Sequence, residues 1–326
     1  MSTAARGRTS ARRPAVRVDV GAALNLIGAL LTYLSVAFLL PIATALLYGE
    51  PVRPFLVGGA LAAAAGLAIG RVTKGKEHVG AREGFLVVSA TWLLAAGAVA
   101  VPFLLSGDPE LSRPIDAYFE AMSGMTTTGA SILTDIPALN HSMALWRQFS
   151  QWIGGMGIIV LAIAVLPRLR IGGRQLFASE APGHEFQTLS SSIRETARRL
   201  WLVYVGLTAL EVLVLAVIGW TGADREMNLF EAVAHAFTTM PTGGFSTRAR
   251  SLEEIAPATQ WAVTVFLVLA GTNFALMYAA LRRRANPVRD DEFRLYALLL
   301  VVATGLLFAE LAARGISEGE GAVRSA

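Results

Sequence analysis

The chain has 326 residues, of which 54% are apolar and 16% are charged, whereas about a quarter of the residues of a soluble domain are charged. The apolar residues form long blocks, so the sequence predicts a membrane protein in contact with lipid. It contains no cysteine, which excludes disulfides, thiolate metal sites and a cysteine nucleophile. The net charge of +4 comes from short basic clusters between apolar blocks, a pattern that favours membrane loops over nucleic-acid binding.

A spanning helix needs about 20 mostly apolar residues, and seven stretches have or approach that length. They are Val20 to Leu47, Pro54 to Ile69, Gly84 to Leu105, Leu145 to Leu166, Leu200 to Trp220, Trp261 to Leu281 and Leu295 to Ala313. The sequence therefore predicts an all-α polytopic membrane protein with about seven transmembrane helices. Residues 1–18, which hold five arginines, are predicted to be a disordered basic tail rather than a cleaved signal.

Basic residues predict the orientation of these helices. Three connections carry clusters of Lys and Arg: Arg71, Lys74, Lys76 and Arg82; Arg168, Arg170 and Arg174; and Arg282, Arg283, Arg284, Arg289 and Arg294. With a cytoplasmic N-terminus all three clusters lie inside, as expected for cytoplasmic loops. The opposite connections, around Asp108 and Asp224, have no basic excess.

Two long outer connections, Ser106 to Ala144 and Thr221 to Gln260, each contain a semi-apolar stretch that is too short to span. An internal repeat relates them, with offsets of 112 residues from Glu83 to Glu195, 111 from Glu120 to Glu231 and 114 from Gly129 to Gly243. The two Glu residues of the second pair each follow Phe and precede Ala. One unit of helix, re-entrant loop and helix is therefore predicted to occur twice in parallel.

The repeat predicts the domain organisation. After the tail come a helix pair over residues 19–75, a first unit over 76–175, a second unit over 190–285 and the first helix of a third unit over 286–326. By the same spacing, the loop Glu of the third unit is expected near position 328 or 329, beyond Ala326.

The predicted re-entrant loops each begin with a helix-compatible part, Ile115 to Met125 and Asn228 to Thr238, followed by Thr and Gly residues. Non-helical backbone at membrane depth has to be buried in protein or line a water-filled cavity. Several such segments around an axis form a ring of carbonyl oxygens that replaces the hydration shell of a monovalent cation. The alternative is a pair of ordinary outer loops with Thr and Gly in turns.

These residues resemble a known family. The stretches FEAMSGMTTTGASILT from Phe119 to Thr134 and QWIGGMGIIV from Gln151 to Val160 resemble the membrane subunit of Trk-type potassium uptake systems, in the Trk/Ktr/HKT superfamily. Further matches are Glu195-Thr196-Ala197, Gly243-Gly244-Phe245-Ser246-Thr247 and Thr272-Asn273-Phe274-Ala275-Leu276. The resemblance covers about Gly21 to Arg314 and includes the N-terminal helix pair.

The resemblance implies four linked helix, pore-loop, helix units around one axis, each giving one filter strand. By resemblance, the first strand is Thr126, Thr127, Thr128 and Gly129, and the second is Met240, Pro241, Thr242 and Gly243. The carbonyls of Thr127, Thr128, Pro241 and Thr242 are then the candidate contacts for K+, the transported ion. Proline fits such a strand because it loses only its N–H. No other cofactor is expected.

The resemblance also implies where the protein works and with what. It predicts a multi-pass protein of a bacterial plasma or inner membrane, a homodimer, and a cytosolic regulatory ring that carries nucleotide-binding domains. The basic loops Arg168 to Arg174 and Arg282 to Arg294 are candidate contact surfaces for that ring.

One departure from the family leaves alternatives open. Two filter strands cannot close a four-sided filter, so the chain is either a fragment of a longer protein or is completed by a second copy or a partner chain. A fragment is the preferred interpretation, because the chain ends within a repeat. The alternatives for function are a truncated, non-conducting or assembly-dependent copy, and a polytopic membrane enzyme, for which no paired acids or nucleophile with a base are found.

Several polar residues in apolar surroundings are further candidates. Arg147, Gln148 and Gln151 are predicted to brace the filter from behind, because polar groups there need partners. Glu211 lies inside a predicted spanning helix, where an ionisable residue is a functional candidate by default. The alternative is a carboxylate that is hydrogen-bonded to a neighbouring helix or lies close to the outer water boundary. His235 is predicted to be packed or hydrogen-bonded rather than a metal ligand.

Overall fold

A computed structural model describes residues 19–75, 81–165, 186–283 and 286–314 of the protein. The described part is helical and contains no strand. Its α-helices are Val20–Ala37 (α1), Leu39–Tyr48 (α2), Arg53–Val72 (α3), Ala81–Leu104 (α4), Pro114–Met125 (α5), His141–Val165 (α6), Phe186–Trp220 (α7), Leu229–Thr239 (α8), Pro257–Ala270 (α9), Phe274–Leu281 (α10) and Asp291–Ala313 (α11). Residues 1–18, Lys76, the loop Arg168 to Arg174 and Arg284 lie outside the described residues.

The length and composition of the helices confirm an all-α multi-pass membrane protein. Five segments in the described ranges are long and apolar enough to cross a membrane: Val20–Tyr48, Arg53–Val72, Leu86–Leu104, Ala197–Trp220 and Asp291–Ala313. The pair α9 and α10 is a sixth if it counts as one span. The helix α6 has 25 residues and is not among them, so a total of about seven spans stays a prediction.

The predicted single helix from Trp261 to Leu281 is broken in the structure. The chain bends by 97° between α9 and α10. Asn273 caps the start of α10, its side chain accepting hydrogen bonds from the amides of Ala275 and Leu276 at 2.9 and 3.4 Å. The side chain of Tyr296 on α11 fills the space beside Gly271. An uninterrupted apolar run does not reveal such a break, because a cap followed by an apolar helix has the same hydropathy as a continuous span.

The N-terminal helices form a scaffold on the outside of the first unit. Helix α1 packs closely on α3, where a Cβ added to Gly66 would lie 2.6 Å from the carbonyl oxygen of Gly28. The rings of Phe38 and Phe55 pack against Trp146 of α6, with centroid distances of 4.5 and 6.2 Å. The helix pair is therefore joined to the unit that follows it.

Helix α6 is the element that joins the two units. It packs against α4 and α5 of the first unit and against α7 and α8 of the second. Its buried face carries Arg147, Gln148 and Gln151, all with no exposed surface. The loops that follow α5 and α8 therefore lie on either side of one polar helix face.

Candidate cation-binding segments

The two short helices predicted before the Thr and Gly residues are confirmed, whereas the re-entrant course of the loops stays a prediction. Helix α5 begins at Pro114, in the first turn where a missing N–H costs nothing. Helix α8 begins after Asn228, whose side chain accepts a hydrogen bond from the amide of Glu231 at 3.0 Å. Both helices end at the Thr and Gly residues, so their partially negative C-terminal ends face the loops that follow.

The first carbonyl segment, residues 126–129, turns its amides inward. The amides of Thr126, Thr127 and Thr128 donate to carbonyls in the last turn of α5 at 2.8, 2.9 and 2.9 Å. Thr127 and Gly129 have positive φ angles of 55° and 76°. Among the described residues, none donates a hydrogen bond to a carbonyl of residues 126–129. These four oxygens are therefore free to contact a cation.

The second carbonyl segment, residues 241–244, repeats this backbone. Thr242 and Gly244 have φ angles of 53° and 85°, and the amides of Thr242 and Gly243 donate to the end of α8 at 2.9 Å each. In the described structure, the carbonyls of residues 242–244 receive no hydrogen bond, and the carbonyl of Pro241 receives only the hydroxyl of Thr242, at 2.7 Å.

The structural repeat has an offset of 115 residues, one more than the Gly129 to Gly243 spacing in the sequence. Gly129 is equivalent to Gly244, and Thr126 is equivalent to Pro241, because positive φ angles and amide hydrogen bonds recur at that offset. Met240, a predicted member of the second strand, is then the counterpart of Met125 at the end of the short helix. A short sequence match such as Phe-Glu-Ala can occur at different positions along two similar helices, whereas the hydrogen-bonded turn at the helix end marks the same position in both.

The same offset changes the equivalence within the short helices. Glu120 corresponds to His235 rather than to Glu231. Glu120 is fully buried and accepts hydrogen bonds from the hydroxyl of Ser131 at 2.9 Å and the amide of Ile132 at 3.2 Å. The shared Phe-Glu-Ala sequence is therefore not a structural repeat, although it correctly indicated two similar loops.

Arg147 connects the two loops, which confirms the predicted bracing for this residue. Its guanidinium donates to the Glu120 carboxylate at 2.8 Å, to the Ser131 hydroxyl at 3.2 Å and to the Ser246 carbonyl at 3.1 Å. It also lies over the ring of Phe245, 4.3 Å from the ring centre. Both charged side chains are completely buried, so the pair fixes the first loop and the second loop relative to each other.

Gln151 also braces the second loop, whereas Gln148 does not. The side-chain oxygen of Gln151 accepts hydrogen bonds from the Thr238 hydroxyl and from the Phe245 amide. Within the described residues, neither polar atom of the buried Gln148 side chain has a hydrogen-bond partner. The bracing prediction is therefore confirmed for Arg147 and Gln151 only.

His235 is packed and hydrogen-bonded, as predicted. Its Nδ1 lies 2.9 Å from the carbonyl oxygen of Glu231 and 3.4 Å from the Glu231 carboxylate. In the part of the chain that the structure describes, no group of three or more His, Cys, Asp or Glu side chains could hold a metal ion. Backbone carbonyls are thus the groups that the two loops offer to a cation.

Sequence reasoning missed one contact that holds the start of α6. Glu50, which follows α2, accepts hydrogen bonds from the amides of His141 and Ser142 at 2.8 Å each. It therefore caps the first turn of α6 from another part of the chain. An acidic residue at the end of an apolar segment was the available signal, but its partner lies 91 positions away.

Comparison with known proteins gives consistent similarities. The family model TrkH, described as cation transport protein, matches residues 55–314. The chain is 40% identical over 243 residues to the Trk system potassium uptake protein TrkH of Escherichia coli K12, covering 72% of this chain and 49% of that protein. It is 38% identical over 298 residues to the Salmonella typhimurium protein of the same name, covering 87% and 59%.

A solved structure is similar as well. The crystal structure of the potassium transporter TrkH from Vibrio parahaemolyticus has a TM-score of 0.81 and 31% sequence identity, and the match covers 94% of this chain and 62% of that chain. The chain thus spans about half to three fifths of the length of the proteins it matches.

Proposed function

The chain belongs to the TrkH family of cation transport proteins, whose model matches residues 55–314, and on this premise we propose that the intact protein takes up potassium across a bacterial membrane. The ion passes between carbonyl segments without covalent chemistry. The two carbonyl segments described above supply part of the selectivity filter. The relatives named above are potassium uptake proteins, which supports transport rather than enzymatic activity.

One observation carries this proposal: in both segments amides donate into the end of the short helix, and within the described residues all carbonyls except that of Pro241 are left unpaired. The amides of Thr127 and Thr242 are hydrogen-bonded to the ends of α5 and α8. The free carbonyls replace the water shell of a monovalent cation. The negative ends of the two short helices favour positive charge at the same place.

The register of the repeat refines the predicted ion contacts. The carbonyls of Thr127 and Thr128 correspond by the 115-residue offset to those of Thr242 and Gly243. These four oxygens are the proposed potassium contacts. Pro241 takes the place of Thr126 at the edge of the segment, where its carbonyl also serves the Thr242 hydroxyl.

The remaining parts of the pore and the partners belong to the proposal as well. Two further carbonyl segments complete the ring, supplied by additional sequence of the same protein or by a second chain. A homodimer in the bacterial inner membrane, with a cytoplasmic N-terminus and a cytosolic nucleotide-binding ring on the basic inner loops, follows from the family resemblance. Arg282 and Arg289 are exposed residues of one of those loops.

The test is ion flux through the intact gene product in liposomes. We expect potassium to move down its gradient and to be preferred over sodium. Growth of a potassium-uptake-deficient bacterial strain at low potassium should be restored by the same gene. Folded protein that carries no potassium flux under any gradient would contradict the proposal and favour a non-conducting copy.

A further inference from the structure

Glu211 is a buried acid that the proposed ion contacts leave unexplained. It lies on α7 within the apolar span Ala197–Trp220, and its side chain has no exposed surface. Neither carboxyl oxygen has a hydrogen-bond partner of good geometry among the described residues. Helix α7 packs against α8, and the side chain of Thr239, the last residue of α8, interacts with the carboxyl group. The acid therefore lies beside the last turn of α8, from which the second carbonyl segment continues.

The first unit has no such acid. The 112-residue offset of the preceding helices pairs Glu211 with Val99 and the 115-residue offset of the loops pairs it with Ala96, and both of these apolar residues are fully buried. By the 115-residue offset of the loops, Thr239 corresponds to Gly124, which packs against Ser150 of α6. The fold therefore accepts an apolar residue at the position of Glu211. The carboxyl group has a role that is particular to the second unit.

The second carbonyl segment differs from the first in how firmly it is held. In the first segment, the amide and the hydroxyl of Thr126 both donate to the carbonyl of Met122, at 2.8 and 2.7 Å, and the hydroxyls of Thr126 and Thr128 lie 2.8 Å apart. Pro241 and Gly243, which replace these two threonines, have neither hydroxyl, and Pro241 has no amide hydrogen. The second segment therefore has fewer local hydrogen bonds.

Its position consequently depends on Thr238 and Thr239. The carbonyls of these two residues accept the amides of Gly243 and Thr242, at 2.9 Å each. The side chain of Thr238 is held by Gln151 from α6. The side chain of Thr239 faces Glu211 from α7. The last turn of α8 is thus supported from two helices, one on each side.

We propose that Glu211, as a neutral carboxylic acid, is a positioning residue that fixes Thr239 and thereby the second carbonyl segment. No cation pairs with Glu211 in the described structure, and an unpaired carboxylate inside an apolar span is costly. A neutral acid can both donate to and accept from a hydroxyl. The inference rests on the proposed function, because the segment it positions is the one that selects the ion.

The experiment compares isosteric and truncating variants in the intact gene product. Glu211→Gln and Thr239→Ser keep a neutral hydrogen-bonding group, and we expect potassium affinity and sodium exclusion close to those of the unaltered protein. Glu211→Leu and Thr239→Val remove it, and we expect a weaker apparent affinity for potassium and stronger competition by sodium. The loss of one hydrogen bond corresponds to a change of up to roughly tenfold.

Two measurements separate positioning from packing. The maximal uptake rate per protein present should change less than the apparent affinity, and the double variant Glu211→Leu, Thr239→Val should lose little more than either single variant. Thr208→Val is the matched control, because Thr208 lies on the same helix, is buried, and bonds to Trp152 at 3.1 Å instead of to α8. It should leave sodium exclusion unchanged.

Two results would overturn the inference. If Glu211→Gln is as defective as Glu211→Leu, the charge of the carboxylate is required, and the proposal that Glu211 acts as a neutral acid is wrong. If Glu211→Leu and Thr239→Val change only the amount of protein, the contact is structural. If Glu211→Leu does not accumulate, the comparison of Thr239→Val with Thr239→Ser tests the inference instead. An unaltered protein that transports no potassium instead refutes the proposed function.

Discussion

Gly129 lies against the second carbonyl segment, beside Gly243. Its φ angle is 76°, and a Cβ at this position would collide with the carbonyl oxygen of Gly243. A side chain is therefore excluded twice, by the backbone conformation and by the neighbouring segment. The first reason is local to the chain, whereas the second depends on the packing of the two segments.

We predict that Gly129→Ser relaxes selectivity, so that sodium competes with potassium while the amount of inserted protein is nearly unchanged. The measurement is growth of a potassium-uptake-deficient strain at low potassium, with and without excess sodium. Unchanged potassium uptake together with unchanged sodium exclusion would remove this loop from the filter.

Two other glycines are controls for this variant. Gly244→Ala also places a Cβ at positive φ, 85°, but in open space, so it should show only the backbone cost of about 1–2 kcal/mol and a smaller loss of selectivity. Gly157→Ser places a Cβ 3.3 Å from the ring of Trp92 and should affect packing and yield more than ion preference.

The buried pair of Glu120 and Arg147 predicts a strong dependence on both partners. Neither side chain has exposed surface, so Arg147→Met leaves a buried carboxylate without its cation. Removing one partner of a buried ion pair typically costs about 3–5 kcal/mol. We expect Arg147→Met to reduce protein abundance and thermal stability sharply, as measured on detergent-solubilised protein.

The double variant Glu120→Leu, Arg147→Met is the informative control. It removes both charges, so stability should recover in part relative to Arg147→Met alone. A double variant that is less stable than either single variant would show that packing around Phe245 and Ser246, rather than the charge pair, holds the loops together.

At the scale of helices, Glu50 joins the end of α2 to the beginning of α6. Burial raises the pKa of the Glu50 carboxyl, but hydrogen bonds from Ser142 and His141 outweigh it and hold that pKa below its usual value of 4.5. A carboxyl whose pKa is lowered by folding stabilises the protein above its unfolded pKa. That contribution is lost as the pH falls through the folded pKa.

We predict that Glu50→Gln lowers the free energy of unfolding by about 1 kcal/mol at pH 7. The difference from the unaltered protein should begin to shrink once the pH falls below 4.5, where the unfolded carboxyl takes up a proton, and should vanish once the pH is also below the lower pKa of the folded state. Thermal unfolding of both proteins at pH 7 and at a pH below 4.5 measures this difference. Glu253→Gln, whose side chain is 64% exposed, should have almost no effect, and an equal effect of both variants would contradict the capping role.

The helices also show where a local pattern is insufficient. The sequence placed both ends of α5 and α8 to within one residue, because Pro114 and Asn228 mark where these helices begin and Thr and Gly residues mark where they end. It did not locate the 97° break between α9 and α10. That break is supported by the contact of Tyr296 with Gly271, which joins helices that the sequence treats as independent.

For the whole molecule, the distribution of basic residues predicts a cytoplasmic N-terminus. Arg170 and Arg284 are then inside, and Asp108 and Asp224 are outside, but the first two lie outside the described residues and Asp224 is only 5% exposed. The exposed residues Lys74, Arg282 and Arg225 are better positions for labelling.

The chain has no cysteine, so single cysteines can be introduced without background. An impermeant thiol reagent applied to intact cells should label cysteine at Asp108 and Arg225 and should not label it at Lys74 or Arg282 until the membrane is opened. The opposite pattern would invert the orientation.

The sequence by itself determined the class of protein, the two short helices with their Thr-Gly segments, and the family. These depend on hydropathy, helix-starting residues and local motifs, which act over a few residues. Only the tertiary structure decided the 115-residue register, the joining of both loops by Arg147, and the place of Glu211 behind Thr239. The register is defined by the hydrogen-bonded turn at the end of each short helix. The other two are set by contacts between helices distant in sequence, because buried polar groups take their partners from whichever element packs against them.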